Sequence, residues 1–325
     1  MKRSRSVDTE VSDTNHDETL PDDPLLEEKI GRRSALVVVA NAAMRIESVR
    51  VGQQVRLSHL AKRGEDCPLT RALLEKSMEY EHFVDTTLAK LIKSHPASPW
   101  FSRVKGTGGE AIGKVLGLID NFGRFYEMGD PMIPTYVSRS PIERDGKKLV
   151  WVEAIERFPT PSKLRKYAGL VPGLQREIGK RLPFNADLRT MLWRLGVSLL
   201  KARGKFHEFY LKYKEYLVAR CEQEGIRILP TPKGRYCVFC EAEVELKTAR
   251  YCPTCNTLLS SKEEPKGVMS EGHIHMMAMR RMMQHFLDLF WVVYRQAMYL
   301  PVRAPYPIEF LGHSTIVSPW DMVDR

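Results

Sequence analysis

No apolar run in this chain approaches the ~18 residues that a membrane-crossing helix needs. The longest candidates, residues 35–40 and 286–294, are short or interrupted by charge. The N-terminus lacks the apolar stretch of a secretory signal as well: Lys2, Arg3 and Arg5 run straight into polar and acidic residues. No membrane role and a cytoplasmic location are therefore expected. Cysteine is scarce, with six in 325 residues, which argues against a disulfide scaffold. Acids are scarce in one stretch: residues 160–214 hold three, against thirteen Lys and Arg. Apolar residues are not scarce. At 43% of the chain they can build a real core, and the length allows two ordinary domains or one with insertions.

Four of the six cysteines carry the sharpest chemical signal. They stand as Cys237-x-x-Cys240 and Cys252-x-x-Cys255, eleven residues apart. Each pair can place two thiolates on one side of a tight turn, and four thiolates can converge on one structural Zn²⁺ with no open position for substrate. Pro253 and Thr254 suit the second turn, Val238 and Phe239 fill the first, and Tyr236 and Tyr251 could pack as strand partners. The alternative is a pair of disulfides or four unrelated thiols. A closed zinc site holds a small fold together, so chemistry must be sought elsewhere. It also expects a reducing compartment. Cys67 and Cys221 stand alone and read as buried or inert thiols.

The net charge of +10 is uneven. Residues 1–30 hold nine acids and four bases, a net of −5, which leaves +15 for the remainder. The basic stretch at 160–214 raises phosphate affinity and on-rate. A solvated helical face is the plainer reading of such a run. Its density favours nucleic acid, and a nucleic-acid role would place the protein at the nucleoid.

The chain divides as follows. Residues 1–33 form an acidic, disordered tail, and 34–99 a helical arm. The arm reads as one helix from Ser34 to about Lys62 and a second from Pro68, with Leu69, Leu73, Phe83, Leu88 and Leu91 at near-helical spacing. Residues 100–229 form a helical domain with an irregular or hairpin insertion at 129–150. Residues 230–265 are a zinc ribbon, 266–306 a helix that completes the domain, and 307–325 a tail. Within the domain, Val104-Lys105-Gly106-Thr107-Gly108-Gly109-Glu110-Ala111-Ile112 fits the hairpin of a helix-hairpin-helix. Its glycines, Gly106, Gly108 and Gly109, would let backbone N–H groups approach a phosphate. Thr160 or Ser162 would cap a helix over 162–170. Asn185 or Asp187 opens a long helix with Leu188, Met191, Leu192, Leu195, Leu199 and Ala202 inward and Arg189, Arg194, Lys201 and Arg203 outward. Phe206, Phe209, Tyr210, Tyr213, Tyr216 and Leu217 read as core rather than as base-stacking platforms. Met276, Met279, Met283, Phe286, Phe290, Val293 and Ala297 mark a final helix. His273 and His275 precede it and read as helix-entry or hydrogen-bonding residues.

Several segments then fall in a recognisable order: the Val104–Ala111 hairpin, Glu156-Arg157-Phe158-Pro159-Thr160-Pro161-Ser162-Lys163-Leu164, Tyr167-Ala168-Gly169-Leu170-Val171-Pro172, Gly179-Lys180-Arg181-Leu182-Pro183-Phe184-Asn185, Gly204-Lys205-Phe206, and a helix carrying Ala278-x-Arg280. This order resembles the C-terminal transposase domain of the 110/116/902 family of insertion-sequence transposases over residues 68–306, with the zinc module as an insertion. The resemblance implies a DNA recombinase lineage. Its members pair a RuvC-like, Mg²⁺-binding nuclease domain with a nucleophilic serine in the C-terminal domain. They form homo-oligomers and can use a structured noncoding RNA to choose DNA sites.

The chain departs from the pattern twice. The RuvC-like domain is expected to be absent, because the 67 residues before the match are too few and their acids lie in the tail. The loop that should hold the serine reads Pro172-Gly173-Leu174-Gln175-Arg176-Glu177-Ile178-Gly179-Lys180, with no Ser, Thr, Tyr or Cys to form a phosphodiester link. Ser162 lies on another element, and Ser138 and Ser140 in the insertion. The expectation is therefore a mainly α DNA-binding protein of the transposition lineage without autonomous catalysis. Lys163, Arg165, Lys166, Arg176, Lys180, Arg181 and Arg189 would neutralise phosphates. An active transposase with a nuclease-domain protein supplied in trans is one alternative. A zinc-ribbon protein-interaction module is the other.

Overall fold

The computed structural model describes residues 35–131, 133, 141–144, 146–174, 177–231, 235–244, 249–259, 264, 266–302 and 317–325, with backbone alone for 142, 144 and 236. The acidic tail, Ser138, Ser140, Arg176 and the ring of Tyr236 lie outside the described residues. The described chain is mainly helical, with eight α-helices and three small sheets.

Two long helices open it, α1 (Ala35–Lys62) and α2 (Pro68–Leu91). Pro68 has a fixed φ and no N–H to lose, which suits the first turn of α2. The helices run antiparallel from a short turn at Gly64. Their less exposed positions, such as Ile46, Arg50, Gln53 and Leu57 on α1 and Leu74, Ser77, Glu81 and Val84 on α2, recur at alternating three- and four-residue steps. This seam is partly polar, and Arg50 and Glu81 form an ion pair across it. At their inner ends both helices pack on α4 (Gly109–Asp120). Gly113 faces Leu88 and Gly117 faces Ala40, so the absent side chains let the helices close up. A single helical turn, α3 (Ser98–Phe101), precedes the glycine hairpin.

Gly106, at φ +91°, is the one hairpin glycine whose conformation is closed to other residues. A Cβ there would stand 2.8 Å from Leu199 Cα and 2.9 Å from Ser198 O. Both obstacles are backbone. Gly106→Ala should therefore cost roughly 2–4 kcal/mol in chemical denaturation. A loss below half a kcal/mol would show that the turn can move off the helix behind it.

After α4 comes an antiparallel sheet in the order β1-β3-β2 (Arg124–Glu127, Lys147–Val152, Ile142–Arg144). Next are α5 (Pro161–Tyr167), α6 (Ala186–Ala202) and α7 (Lys205–Gln223). Asn185 caps α6 by accepting from the Leu188 N–H at 3.0 Å. Thr160 precedes α5 without a side-chain cap bond.

The last long helix, α8 (Glu271–Ala297), is the centre of the core. Met279, Met283, Phe286, Phe290 and Val293 are buried, as their spacing predicts. Met276 is exposed; Ile274 and Ala278 take the inward positions there. His273 and His275 lie inside the first turns of α8 rather than before it. Polar side chains also tie α8 to the rest; among them, Trp291 Nε1 donates to Phe158 O at 2.7 Å and Arg295 to Ile155 O at 3.0 Å. Between α7 and α8 the strands β4 (Arg227–Leu229) and β7 (Val268–Ser270) pair in parallel. The segment between them leaves and rejoins the body at adjacent positions. No helix among the described residues is long and apolar enough to cross a membrane.

Candidate metal centre and nucleic-acid interface

The cysteine module is built on β5 (Arg235–Cys237) and β6 (Ala242–Val244), an antiparallel pair. The first turn, residues 238–240, reverses the chain between them, and the Cys240 N–H points at Cys237 Sγ at 3.4 Å. The second turn is closed by Cys252 N–H to Thr257 O at 2.8 Å and Asn256 N–H to Cys252 O at 2.9 Å. The residue after each pair, Glu241 (φ +51°) and Asn256 (φ +57°), is left-handed. The two Cys-x-x-Cys segments therefore end with the same backbone reversal.

All four Sγ atoms lie within 4.8 Å of one another. Cys237 and Cys255 are 3.5 Å apart, and Cys240 and Cys252 4.0 Å. Thiolates about 2.3 Å from a tetrahedral metal stand about 3.8 Å from each other, so the cluster matches a four-thiolate site. The four cysteines could hold a metal ion; none is joined in a disulfide. Their protons are shared unequally. Thr257, through its hydroxyl and its amide, draws Cys255 down to about 6. The neighbouring Cys255 thiol, with burial and the other two cysteines, pushes Cys240 up to about 12. The module's own apolar centre is small, comprising Cys237, Val244, Cys252 and Leu259. Val238, Phe239, Tyr251 and Leu258 face outward.

The candidate phosphate contacts divide by environment. Lys163 and Lys166 are exposed on α5, Lys180 and Arg181 on the following loop, and Arg189 on the first turn of α6. That loop is pinned at its ends, because Asn185 N–H donates to Tyr167 O at 2.8 Å and Asn185 Nδ2 to Tyr167 Oη at 2.9 Å. Ala168 and Leu170 at its start are buried in the core, whereas residues 177–181 are exposed, Ile178 fully so. Lys180 pairs with Glu177 at 2.6 Å on the surface, a contact worth little in water. Arg189 lies over the Phe184 ring at 5.2 Å.

Arg165 is different. Its Nε is 3.2 Å from Asp288 Oδ1 of α8, and both side chains are half-buried. Burial pushes Asp288 up to about 6 against the pull of Arg165. This guanidinium is used inside the fold. Arg194, read as outward, is also engaged, reaching back to Glu47 on α1 at 2.8 Å.

The three glycines share no single role. Gly106 lies against α6, and Gly109 faces Ala89 at 3.2 Å. Gly108 is open and precedes α4. One anionic contact near the hairpin has no signature in the sequence. The Lys105 N–H donates to Asp324 Oδ2 at 2.6 Å, from a residue 219 positions away.

No family model matches the chain, and neither a curated protein nor a solved structure does.

Proposed function

We propose that this chain is a nucleic-acid-binding protein of the DNA-transposition lineage, without autonomous strand transfer. The observation that carries it is the group of outward cations on α5, the loop after it and the start of α6. Lys163, Lys166, Arg181 and Arg189 have no acidic partner among the described residues. A protein gains little stability by leaving four such charges unpaired, whereas a phosphate backbone uses all of them. In this reading α3, the Gly106 turn and α4 act as the helix-hairpin-helix, and the order of segments reflects descent from the 110/116/902 transposases. Duplex DNA is the main partner, a structured noncoding RNA is a second polyanion of the same chemistry, and the protein acts as a homo-oligomer. Zn²⁺ is the metal of the Cys₄ site, since four soft thiolates at tetrahedral spacing suit it best. No hydroxyl or thiol side chain stands among Pro172–Lys180 to carry a phosphodiester link, so this chain would lack autonomous strand transfer.

The test is a salt titration of binding to a duplex DNA and a structured RNA with the metal-loaded protein. Binding should weaken steeply as salt rises. Lys180→Ala and Arg181→Ala should each lower the slope by about one and weaken all sequences alike. Affinity that ignores salt would sink this reading. Strand transfer by this chain alone would refute the absence of catalysis.

A second reading rests on a separate observation: the four apolar side chains exposed on the metal module, with Phe239 77% accessible. A patch of that kind suits a protein partner. Salt-insensitive binding lost in Phe239→Ser would favour it.

A further inference from the structure

At the C-terminal end of α6 the last described residues of the chain, 317–325, lie across the hairpin. They form a short strap held at several points. Trp100 Nε1 donates to Pro319 O at 2.7 Å, Arg325 donates to Ser102 O at 2.8 Å, and Met322 is buried. The Asp324 N–H donates to Arg103 O at 2.9 Å. These contacts deliver the Asp324 carboxylate to two backbone amides from separate segments. Lys105 N–H of the hairpin donates to Oδ2 at 2.6 Å, and Lys205 N–H at the start of α7 donates to Oδ1 at 2.8 Å. Gly204 leaves the room: a Cβ there would meet both carboxylate oxygens.

The surroundings are basic. Arg103, Lys105, Lys201, Arg203 and Lys205 are all exposed near this junction, and Arg103 lies over the Trp320 ring. Two convergent amides, one of them at the positive end of a nineteen-residue helix, within a rim of cations are the donor set that holds a phosphate oxyanion. Here the oxyanion is the chain's own.

We infer that the strap is autoinhibitory: Asp324 occupies a phosphodiester site formed by the amides of Lys105 and Lys205, and the backbone of a bound nucleic acid displaces it. This rests on the nucleic-acid reading above and adds a site to it. The hairpin does present an amide to an anion, as its glycines suggest, but in the free protein that anion is a carboxylate. Because the strap is tethered, its carboxylate competes at an effective concentration on the order of millimolar. A helix cap alone would explain the bond to Lys205. It would not require the second amide from the hairpin, nor the rim of exposed cations.

The test compares Asp324→Asn with Glu208→Gln for binding a mixed-sequence duplex DNA and a structured RNA at one fixed salt concentration. Glu208 is exposed on the first turn of α7 and touches neither amide; its one ion pair among the described residues is a surface contact with Lys205 at 3.9 Å, worth little in water. Its replacement therefore makes the same charge change without opening the site. Asp324→Asn should tighten binding roughly five- to tenfold and Glu208→Gln less than about twofold. Equal gains, or a lowered melting temperature with no gain in affinity, would overturn the inference and leave Asp324 as a structural cap. Failure of wild type and Asp324→Asn alike to bind either nucleic acid would overturn the nucleic-acid reading itself, and autoinhibition with it.

Discussion

Stripping the metal from the Cys237, Cys240, Cys252 and Cys255 cluster should unfold residues 235–259 and leave the helical body standing. The module has four buried residues of its own, two of them cysteines. A core of that size cannot offset the conformational entropy of the twenty-one described residues of the module at about 1–2 kcal/mol each. A bound metal would supply the difference, since structural Zn²⁺ is worth about 10–16 kcal/mol in zinc-finger peptides. The body has a separate cluster centred on α8, from Leu36 to Met322, which does not include the module. Hydrogen exchange should therefore show protection lost throughout 235–259 after chelation, and in Cys252→Ser, while peptides of α8 keep theirs. The parallel pair β4–β7 should fray only at its outer end, because Cys221 and Met269 anchor it from the body side. Unchanged protection in 235–259 after verified metal removal would mean that the hairpin is self-supporting and the cysteines do not serve as ligands.

Element metal analysis gives the same prediction a second readout. The purified protein should carry one ion per chain, and acidification should release it, because the ligands must be thiolates. Cys240, held protonated by its neighbours when no metal is present, would give up its proton to solvent as its thiolate binds a metal. Loading should therefore release protons measurably at neutral pH.

Much of this architecture was legible in the sequence because it follows local rules. Pro68 at a helix start, Asn185 as a cap and the recurring Leu188, Leu192, Leu195 and Leu199 each need only a few neighbouring residues to be read. The paired Cys-x-x-Cys spacing needs no more than that, and the cysteines do converge. What escaped was what depends on residues far apart in the chain. Arg165 looks like one more exposed cation until Asp288 is brought beside it from α8. Gly106 reads as a backbone opening for phosphate until α6 is placed against it. The three-stranded sheet was partly visible, since 129–150 reads as an irregular or hairpin insertion, whereas the pairing of Arg124–Glu127 with β3 spans a long connection and has no local signal. Asp324 lay in a segment read as a tail. Nothing in its own neighbourhood indicates that its carboxylate ends on two amides elsewhere. These are tertiary choices, and a single sequence does not state them.

Glu47→Ala should be among the most damaging single substitutions in the helical body, because one carboxylate joins three helices. Lys114 on α4 is 1% exposed, and its Nζ reaches Glu47 Oε2 on α1 at 2.9 Å and Glu110 at 2.5 Å. Arg194 of α6 grips the same Glu47 carboxylate with two nitrogens. Burial opposes the charge on Lys114, yet its bonds to Glu110 and Glu47 more than restore it and raise its pKa. Removing Glu47 leaves that ammonium buried with only the exposed Glu110, a situation that costs about 3 kcal/mol. The pH dependence follows from the sign of the carboxylate shift. The Arg194 guanidinium, opposed by burial and aided by Lys114, lowers Glu47 from 4.5 to about 2 in the folded protein. A depressed carboxylate stabilises the fold fully above its unfolded pKa, and that stability drains away as pH falls through the folded value. With the pair's exposed rim discounted for screening, about 2 kcal/mol of wild-type stability should vanish between pH 5 and pH 2. Urea denaturation of wild type and Glu47→Ala at pH 7 and near pH 2 checks both parts. The gap should be wide at neutral pH and narrow in acid. A gap under about 1 kcal/mol at pH 7, or one that acid leaves unchanged, would mean that apolar contacts such as Ala40 against Gly117 hold the arm to the body without the charge.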